Sequence, residues 1–194
     1  MEQSRVSFIP FGIDPQFWSY EEPATGQPLI VSVGNDRDRD PESLFAALDM
    51  VVREIPDARA LVQTDSHLTA PKGVRKFERV SHRELHELYC RSTLVMVATR
   101  PNLHVSGMTV ALEAMSTGRP VVMTSTPGME DYVPDGVVGR LATPGDAEAL
   151  AASATEIITS RPLQERMGLR GRQLVERELN SQAMVGRIAR FIAS

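Results

Sequence analysis

The sequence is poor in the residues that staple, stack or span. A single cysteine, Cys90, among 194 residues excludes an internal disulfide framework and any multi-cysteine zinc site. Aromatics make up 5% of the chain, too few for a platform that stacks single-stranded bases. Positive charge is not in excess: 21 Lys and Arg face 25 Asp and Glu, giving a formal charge of −4. That argues against a phosphate backbone as partner, so no nucleic acid is expected. No apolar run approaches the roughly 20 residues of a membrane-spanning helix, so no integral membrane segment is expected. Met1 is followed by Glu2, Gln3, Ser4, Arg5 and a short apolar run that stops at Pro10, which does not read as a secretory leader. There is no G-x-G-x-x-G after Val33, no Walker A lysine and no G-x-S-x-G elbow. What is left is a soluble, weakly acidic, intracellular type of chain. It is long enough to bury roughly 70% of its extended surface.

What is present alternates. Leu29–Gly34, Arg59–Gln63, Val74–Phe77, Leu94–Ala98 and Val121–Thr124 read as strands, most of them continuous apolar runs of the kind buried on both faces. Val137–Ala142 is a weaker strand, and Val6–Ile9 reads as the end of one. Helical spacing marks 41–54 (Leu44, Leu48, Val52), 82–91 (Leu85, Leu88, Tyr89), 109–115, 146–158, 162–178 and 182–192. Gly118 suits the left-handed position that closes the helix before Pro120. The order predicts an α/β domain, a mostly parallel sheet covered by helices on both faces. Ligands in such folds bind at the carboxyl ends of the strands. Here those ends lead into three polar or Gly/Pro-rich loops, after Gly34, Ala98 and Thr124.

Each loop has a functional and a plain reading. Ser106-Gly107-Met108-Thr109 opens a helix, and exposed amides with hydroxyls suit a phosphate, whereas Ser106 or Thr109 could simply cap the helix. Glu113 is an acid amid Val110, Ala111, Leu112, Ala114 and Met115. It is either a ligand for vicinal hydroxyls or an exposed face residue. Arg37 and Arg39 could neutralise a diphosphate leaving group, or only pair with Asp36, Asp38 and Asp40. In Ser125–Asp131, backbone amides or Glu130 could meet a ligand, or Ser125 or Thr126 could cap a following short helix. His82 and His86 are four apart, but Arg83 stands where a metalloprotease motif needs Glu. Cys90 reads as a packing residue.

The stretches Ser106–Val122 and Thr126–Leu141 closely resemble the donor-binding signature of family 4 glycosyltransferases, enzymes built from two Rossmann-like domains in the GT-B fold. Ile9-Pro10-Phe11-Gly12-Ile13-Asp14 resembles the segment where those enzymes enter their C-terminal domain, with Phe11 where Asn is usual. The resemblance runs from residue 6 to the final helices. It implies a three-layer α/β/α Rossmann-like domain, one half of a GT-B fold. The implied division is an opening segment and linker over 1–28, a nucleotide-sugar-binding domain over 29–178, and a C-terminal helix over 179–194 packing on or crossing from it.

The resemblance also implies roles. Glu113 would hold the ribose hydroxyls. Ser106, Gly107, Met108 and Thr109 would hold the phosphates. Arg39, or Arg37, would stand for the family's lysine at the diphosphate. Asn102 and His104 would be sugar contacts, and backbone around Gln63–Asp65 and Glu78–Val80 would meet the base, with Glu78 and Val80 on its side. Two positions depart from the pattern: Asn35 replaces an arginine, and Val105 replaces the first of two glutamates. No cofactor and no metal are expected, although Asp36-x-Asp38 and Asp38-x-Asp40 match a short metal-binding pattern. The implied activity is retaining transfer of a sugar from a nucleoside-diphosphate sugar to an acceptor hydroxyl. The implied partners are that donor and a missing N-terminal acceptor-binding domain, without which the chain transfers little. The implied location is the cytoplasm or, for the full-length enzyme, the membrane periphery. A sugar-nucleotide epimerase of the same fold, or a non-catalytic nucleotide-sugar-binding module, are the alternatives.

Overall fold

The described residues, 6–23 and 25–193, of the computed structural model form six short strands and six helices. They are β1 (Leu29–Ser32), α1 (Pro41–Glu54), β2 (Arg59–Gln63), β3 (Val74–Phe77), α2 (His82–Arg91), β4 (Leu94–Val97), α3 (Met108–Ser116), β5 (Val121–Thr124), β6 (Gly139–Ala142), α4 (Ala147–Ile158), α5 (Arg161–Arg177) and α6 (Ser181–Ala193). The leader reading at Met1–Arg5 and parts of the expected 1–28 and 179–194 segments (residues 1–5, 24 and 194) lie outside the described residues. Val6–Ile9 is not a strand end. Val6 and Phe8 are more than half exposed and pair with no strand among the described residues, so apolar composition alone does not make them one. No helix among the described residues is long and apolar enough to cross a membrane.

The helix starts follow local chemistry. Asp40 caps α1 by accepting from the Ser43 amide at 3.1 Å, with Pro41 in the first turn. Ser81 and Glu84 form a reciprocal capping box on α2. Asp146 caps α4 through the Ala149 amide at 2.8 Å.

All neighbouring strands pair in parallel, in the order β3-β2-β1-β4-β5-β6. The chain builds outward from β1 to β3, crosses back, and builds outward from β4 to β6. The reversal lies between β1 and β4, so the crevice at their carboxyl ends is where this topology leaves room for a ligand. Period-2 alternation divides the core in two. Ile30, Leu94, Met96 and Val122 pack with Leu48 of α1 and Leu150 and Ile157 of α4. Val31, Val95, Val97, Val121 and Met123 pack on the other face with Ala111, Leu112 and Met115 of α3 and Tyr89 of α2. Truncating Leu48, which is 0% exposed, to Ala costs about 2–5 kcal/mol.

Two arginines sew the opening segment to this frame. Arg119 is buried and donates to the carbonyls of Glu21, Glu22, Tyr89 and Cys90. Arg172 reaches the carbonyls of Pro15, Trp18 and Ser116. Ile13 bonds backbone to backbone with Leu179 and Ser181, at 3.1 and 2.8 Å.

Candidate functional site

The loop that follows β1 is laced to the loop that follows β4. Asp40 N donates to Ala98 O at 3.0 Å, Arg100 N donates to Asp38 O at 2.8 Å, and Arg39 and Thr99 form an antiparallel bridge. This lacing turns Arg39 inward and leaves Arg37 outside. The Arg37 side chain is 87% exposed and pairs with Asp38, at 3.6 Å. Arg39 lies wedged between two glycines. A Cβ on Gly34 would collide with its guanidinium, and a Cβ on Gly107 would stand 2.7 Å from its Nη1. Gly34 (φ 104°) lies two residues past the end of β1 and Gly107 (φ 93°) opens α3. Both are therefore fixed by backbone conformation and by room for the cation.

Two of the three guanidinium nitrogens are left unsatisfied. Arg39 Nε and Nη1 are buried with no hydrogen-bond partner among the described residues. Burial pushes its pKa down, and nearby Asp36 offsets part of that. A desolvated, unpaired cation is costly, and an anion delivered to it recovers that cost.

The helix start beside it is equally open. Capping by Ser106 or Thr109 does not occur: the cap is Gly107, with no side-chain hydrogen bond. Ser106 is 3% exposed, yet its Oγ has no partner. The amides of Gly107 and Thr109 make no backbone bond outside the helix, whereas Met108 N is taken by Val105 O at 3.0 Å. Thr109 itself is exposed and Met108 half-buried. The loop after β5 contributes another orphan, Thr126 Oγ1, in a residue 4% exposed. No helix follows Thr126, only turns, so the expected capping there has nothing to cap. The only unpartnered buried side-chain atoms among the described residues thus lie in the three loops at the carboxyl ends of β1, β4 and β5.

Glu113 sits on α3, one helical turn beyond Thr109. It is not an exposed face residue. It is half-buried, and burial pushes its carboxyl pKa up to about 7. The Tyr89 phenol donates to its Oε2 at 2.9 Å and opposes that rise. Tyr89 was legible only as a core stripe residue. A tyrosine tip in a buried stripe needs a polar partner, and that is the signal that could have paired it with the one acid of the apolar helix.

The remaining candidates fall into two groups. Asn102 is spent on its own loop: Oδ1 accepts from Ser106 N at 3.0 Å and Nδ2 donates to Arg100 O at 2.9 Å. His104 lies between two carboxylates, Nε2 3.3 Å from Asp36 and Nδ1 3.5 Å from Asp38. The ligand atoms of Asp36, Asp38 and His104 fall within 4.8 Å of one another, so these residues could hold a cation. As they stand they form a polar clasp between the β1 and β4 loops, with His104 hydrogen-bonded to Asp36. The Asp38 amide and His104 hold the Asp36 carboxyl below its usual range. Glu78 lies apart from these groups, in a hollow with Gly34, Asn35, Gln63, Asp65 and Arg79. Val80 is half-buried just beyond it. Asn35 donates to Asp65 at 2.7 Å, and Gln63 accepts from Gly34 N at 3.1 Å, so the first two strand ends are tied together there. His86 bonds Ser19 and approaches Cys90 Sγ at 3.6 Å, a packing arrangement. Val105, half-buried, is the one non-glycine at positive φ (54°) among the described residues, and its methyl faces Gly128. That conformation costs a β-branched residue about 1–2 kcal/mol.

Comparison with known proteins gives a consistent picture. A family model described as glycosyl transferases group 1 matches residues 27–160. The capsular polysaccharide biosynthesis glycosyltransferase CapM of Staphylococcus aureus is 34% identical over 73 residues, which is 38% of this chain and 19% of that protein. Among solved structures, the C-terminal domain of the group 1 glycosyltransferase LpcC from Francisella tularensis superposes with a TM-score of 0.75 at 18% identity, covering 88% of this chain and all of that domain. Alr3699/HepE of Anabaena, crystallised with UDP-glucose, gives a TM-score of 0.79 at 17% identity, covering 96% of this chain and 57% of that one. The chain therefore spans well under two thirds of the longer relatives it matches.

Proposed function

The chain belongs to the group 1 glycosyltransferases, and from that premise we propose that it is the donor-binding half of a retaining glycosyltransferase. Its substrate is a nucleoside-diphosphate sugar. The single observation that carries this reading is the unpaired Arg39 guanidinium between Gly34 and Gly107, at the start of α3. A diphosphate there meets a full positive charge, the free amides of Gly107 and Thr109 and the helix dipole. Ser106 Oγ and Thr126 Oγ1 supply further donors from flanking loops. Glu113, one turn along, accepts from the vicinal hydroxyls of the ribose. The hollow at Glu78 takes the base, and the sugar points toward Asn102 and His104.

In this reading the reaction breaks the bond between the anomeric carbon and the leaving phosphate oxygen. Negative charge grows on the diphosphate as the bond lengthens. Arg39 and the α3 amides are held in place beforehand, so their attraction strengthens with that charge and lowers the barrier. The acceptor's hydroxyl oxygen forms the new bond to the anomeric carbon and its proton passes to the departing diphosphate. The acceptor itself is held by a second domain, so the isolated chain transfers little on its own. Val105 removes the carboxylate that the family resemblance places beside the sugar. Recognition of the sugar in this chain therefore rests on other groups of the same loop.

Isothermal titration with UDP-, GDP- and ADP-sugars tests the proposal. One of the three binds the isolated chain, and Arg39→Met abolishes that binding. If none binds more tightly than about 1 mM, equivalent to about −4 kcal/mol, the proposal fails.

A further inference from the structure

We propose that Tyr89 is a positioning residue of this site, one that anchors one oxygen of the Glu113 carboxyl and aims the other at a vicinal diol. The inference rests on the ribose reading of Glu113 and adds a residue, and a pH dependence, that the reading does not contain.

The geometry is specific. Tyr89 is 0% exposed, and its phenol has one partner, Glu113 Oε2, at 2.9 Å. The ring is fully buried against Trp18, 5.7 Å between centroids, and the backbone that carries it is held by its carbonyl, which accepts from Arg119 Nε and from Ser92 Oγ, both at 2.9 Å. Glu113 Oε1 accepts from no described residue, so one oxygen is anchored and the other is free for a ligand. The groups facing this pair are few. Tyr89 is the one titratable neighbour acting on Glu113, and Glu113 and Arg39 are those acting on Tyr89. The phenol stays protonated, because burial and Glu113 both drive its pKa well above the ordinary value. It is therefore a permanent donor to a carboxylate that titrates near neutrality.

The consequence is a binding curve set by one hydroxyl. A carboxylate accepts from two diol hydroxyls, whereas a protonated carboxyl must donate one of its own hydrogens and fits them poorly. Donor affinity in the parent rises as pH passes about 7 and levels above it. Losing the phenol removes the group that stabilises the charged form. The midpoint then moves up by about one pH unit, the scale of a lost hydrogen bond to a charge.

The test measures affinity for UDP-glucose, GDP-mannose and ADP-glucose from pH 6 to 9, in the parent, Tyr89→Phe and Glu113→Gln. Their bridging diphosphates do not titrate in this range. Tyr89→Phe is expected to bind about fivefold more weakly at pH 7, with the gap closing by pH 9. Glu113→Gln is expected to be weak and flat with pH. A Tyr89→Phe loss of equal size at every pH overturns the proposal, because a merely structural ring gives that result. Parent-like affinity in Glu113→Gln overturns the ribose reading itself. If Tyr89→Phe does not fold, 3-fluorotyrosine at position 89 keeps the ring and donates more strongly. The midpoint must then move down, and an unmoved midpoint overturns the proposal.

Discussion

Replacing Glu113 with Gln should stabilise the chain, and only where the glutamate is charged. Burial raises this carboxyl from 4.5 to about 7. The folded state therefore holds a proton that the unfolded chain gives up at lower pH. Stability is unaffected below about pH 4.5, falls as pH rises through that window, and has lost its full share above about pH 7. The two values correspond to about 3 kcal/mol, an upper bound because the carboxyl is only half-buried. Glutamine is neutral at every pH, and its carbonyl can accept from the Tyr89 phenol as Oε2 does. Glu113→Gln should thus match the parent near pH 4.5 and exceed it by up to about 3 kcal/mol at pH 8. Urea denaturation at pH 4.5, 6 and 8 reads the difference, and Trp18, the one tryptophan and only 6% exposed, reports it by fluorescence. A gap of the same size at all three pH values, or a variant less stable at pH 8, would refute the reasoning. The expected result pairs a gain in stability with a loss of donor affinity, which is how a side chain kept for binding behaves.

Further expectations concern the proposed diphosphate site around Arg39. Arg39→Met removes an unpaired buried charge, so its melting temperature should be no lower than the parent's while sugar-nucleotide binding is lost. Inorganic pyrophosphate should raise the parent's melting temperature and leave that of Arg39→Met unmoved, which differential scanning calorimetry can follow. Arg37→Ala should change neither stability by more than about 0.5 kcal/mol nor donor affinity measurably by titration, since its ion pair is exposed. Gly107→Ala places a Cβ at φ 93° and 2.7 Å from Arg39 Nη1. It should cost about 1–3 kcal/mol in urea denaturation and weaken donor binding as well.

The sheet was legible because each of its central strands is a run of apolar residues, and alternate members of those runs face opposite layers. Ile30 against Val31 and Val122 against Val121 show that division directly. Val6–Ile9 misled, since an apolar run becomes a strand only beside a partner. The three polar loops at the strand ends were legible from the sequence, but the contacts within and between them were not. Choosing Arg39 over Arg37 depends on bonds from Asp38 and Asp40 to residues some 60 positions away. Pairing Tyr89 with Glu113 joins two helices across 24 residues. A Ser or Thr before an apolar run reads as a cap, yet at Ser106 the backbone turns through Gly107, and after Thr126 no helix begins. The left-handed Val105 has no local signature at all, because a β-branched residue is the last choice for that conformation.

The most direct test of the central claim is a crystal structure of the chain with the sugar nucleotide that binds it best. The expected result places the diphosphate against Arg39 and the Gly107 amide, with both ribose hydroxyls on Glu113. A nucleotide bound with its diphosphate away from Arg39, or with its ribose clear of Glu113, would contradict the account.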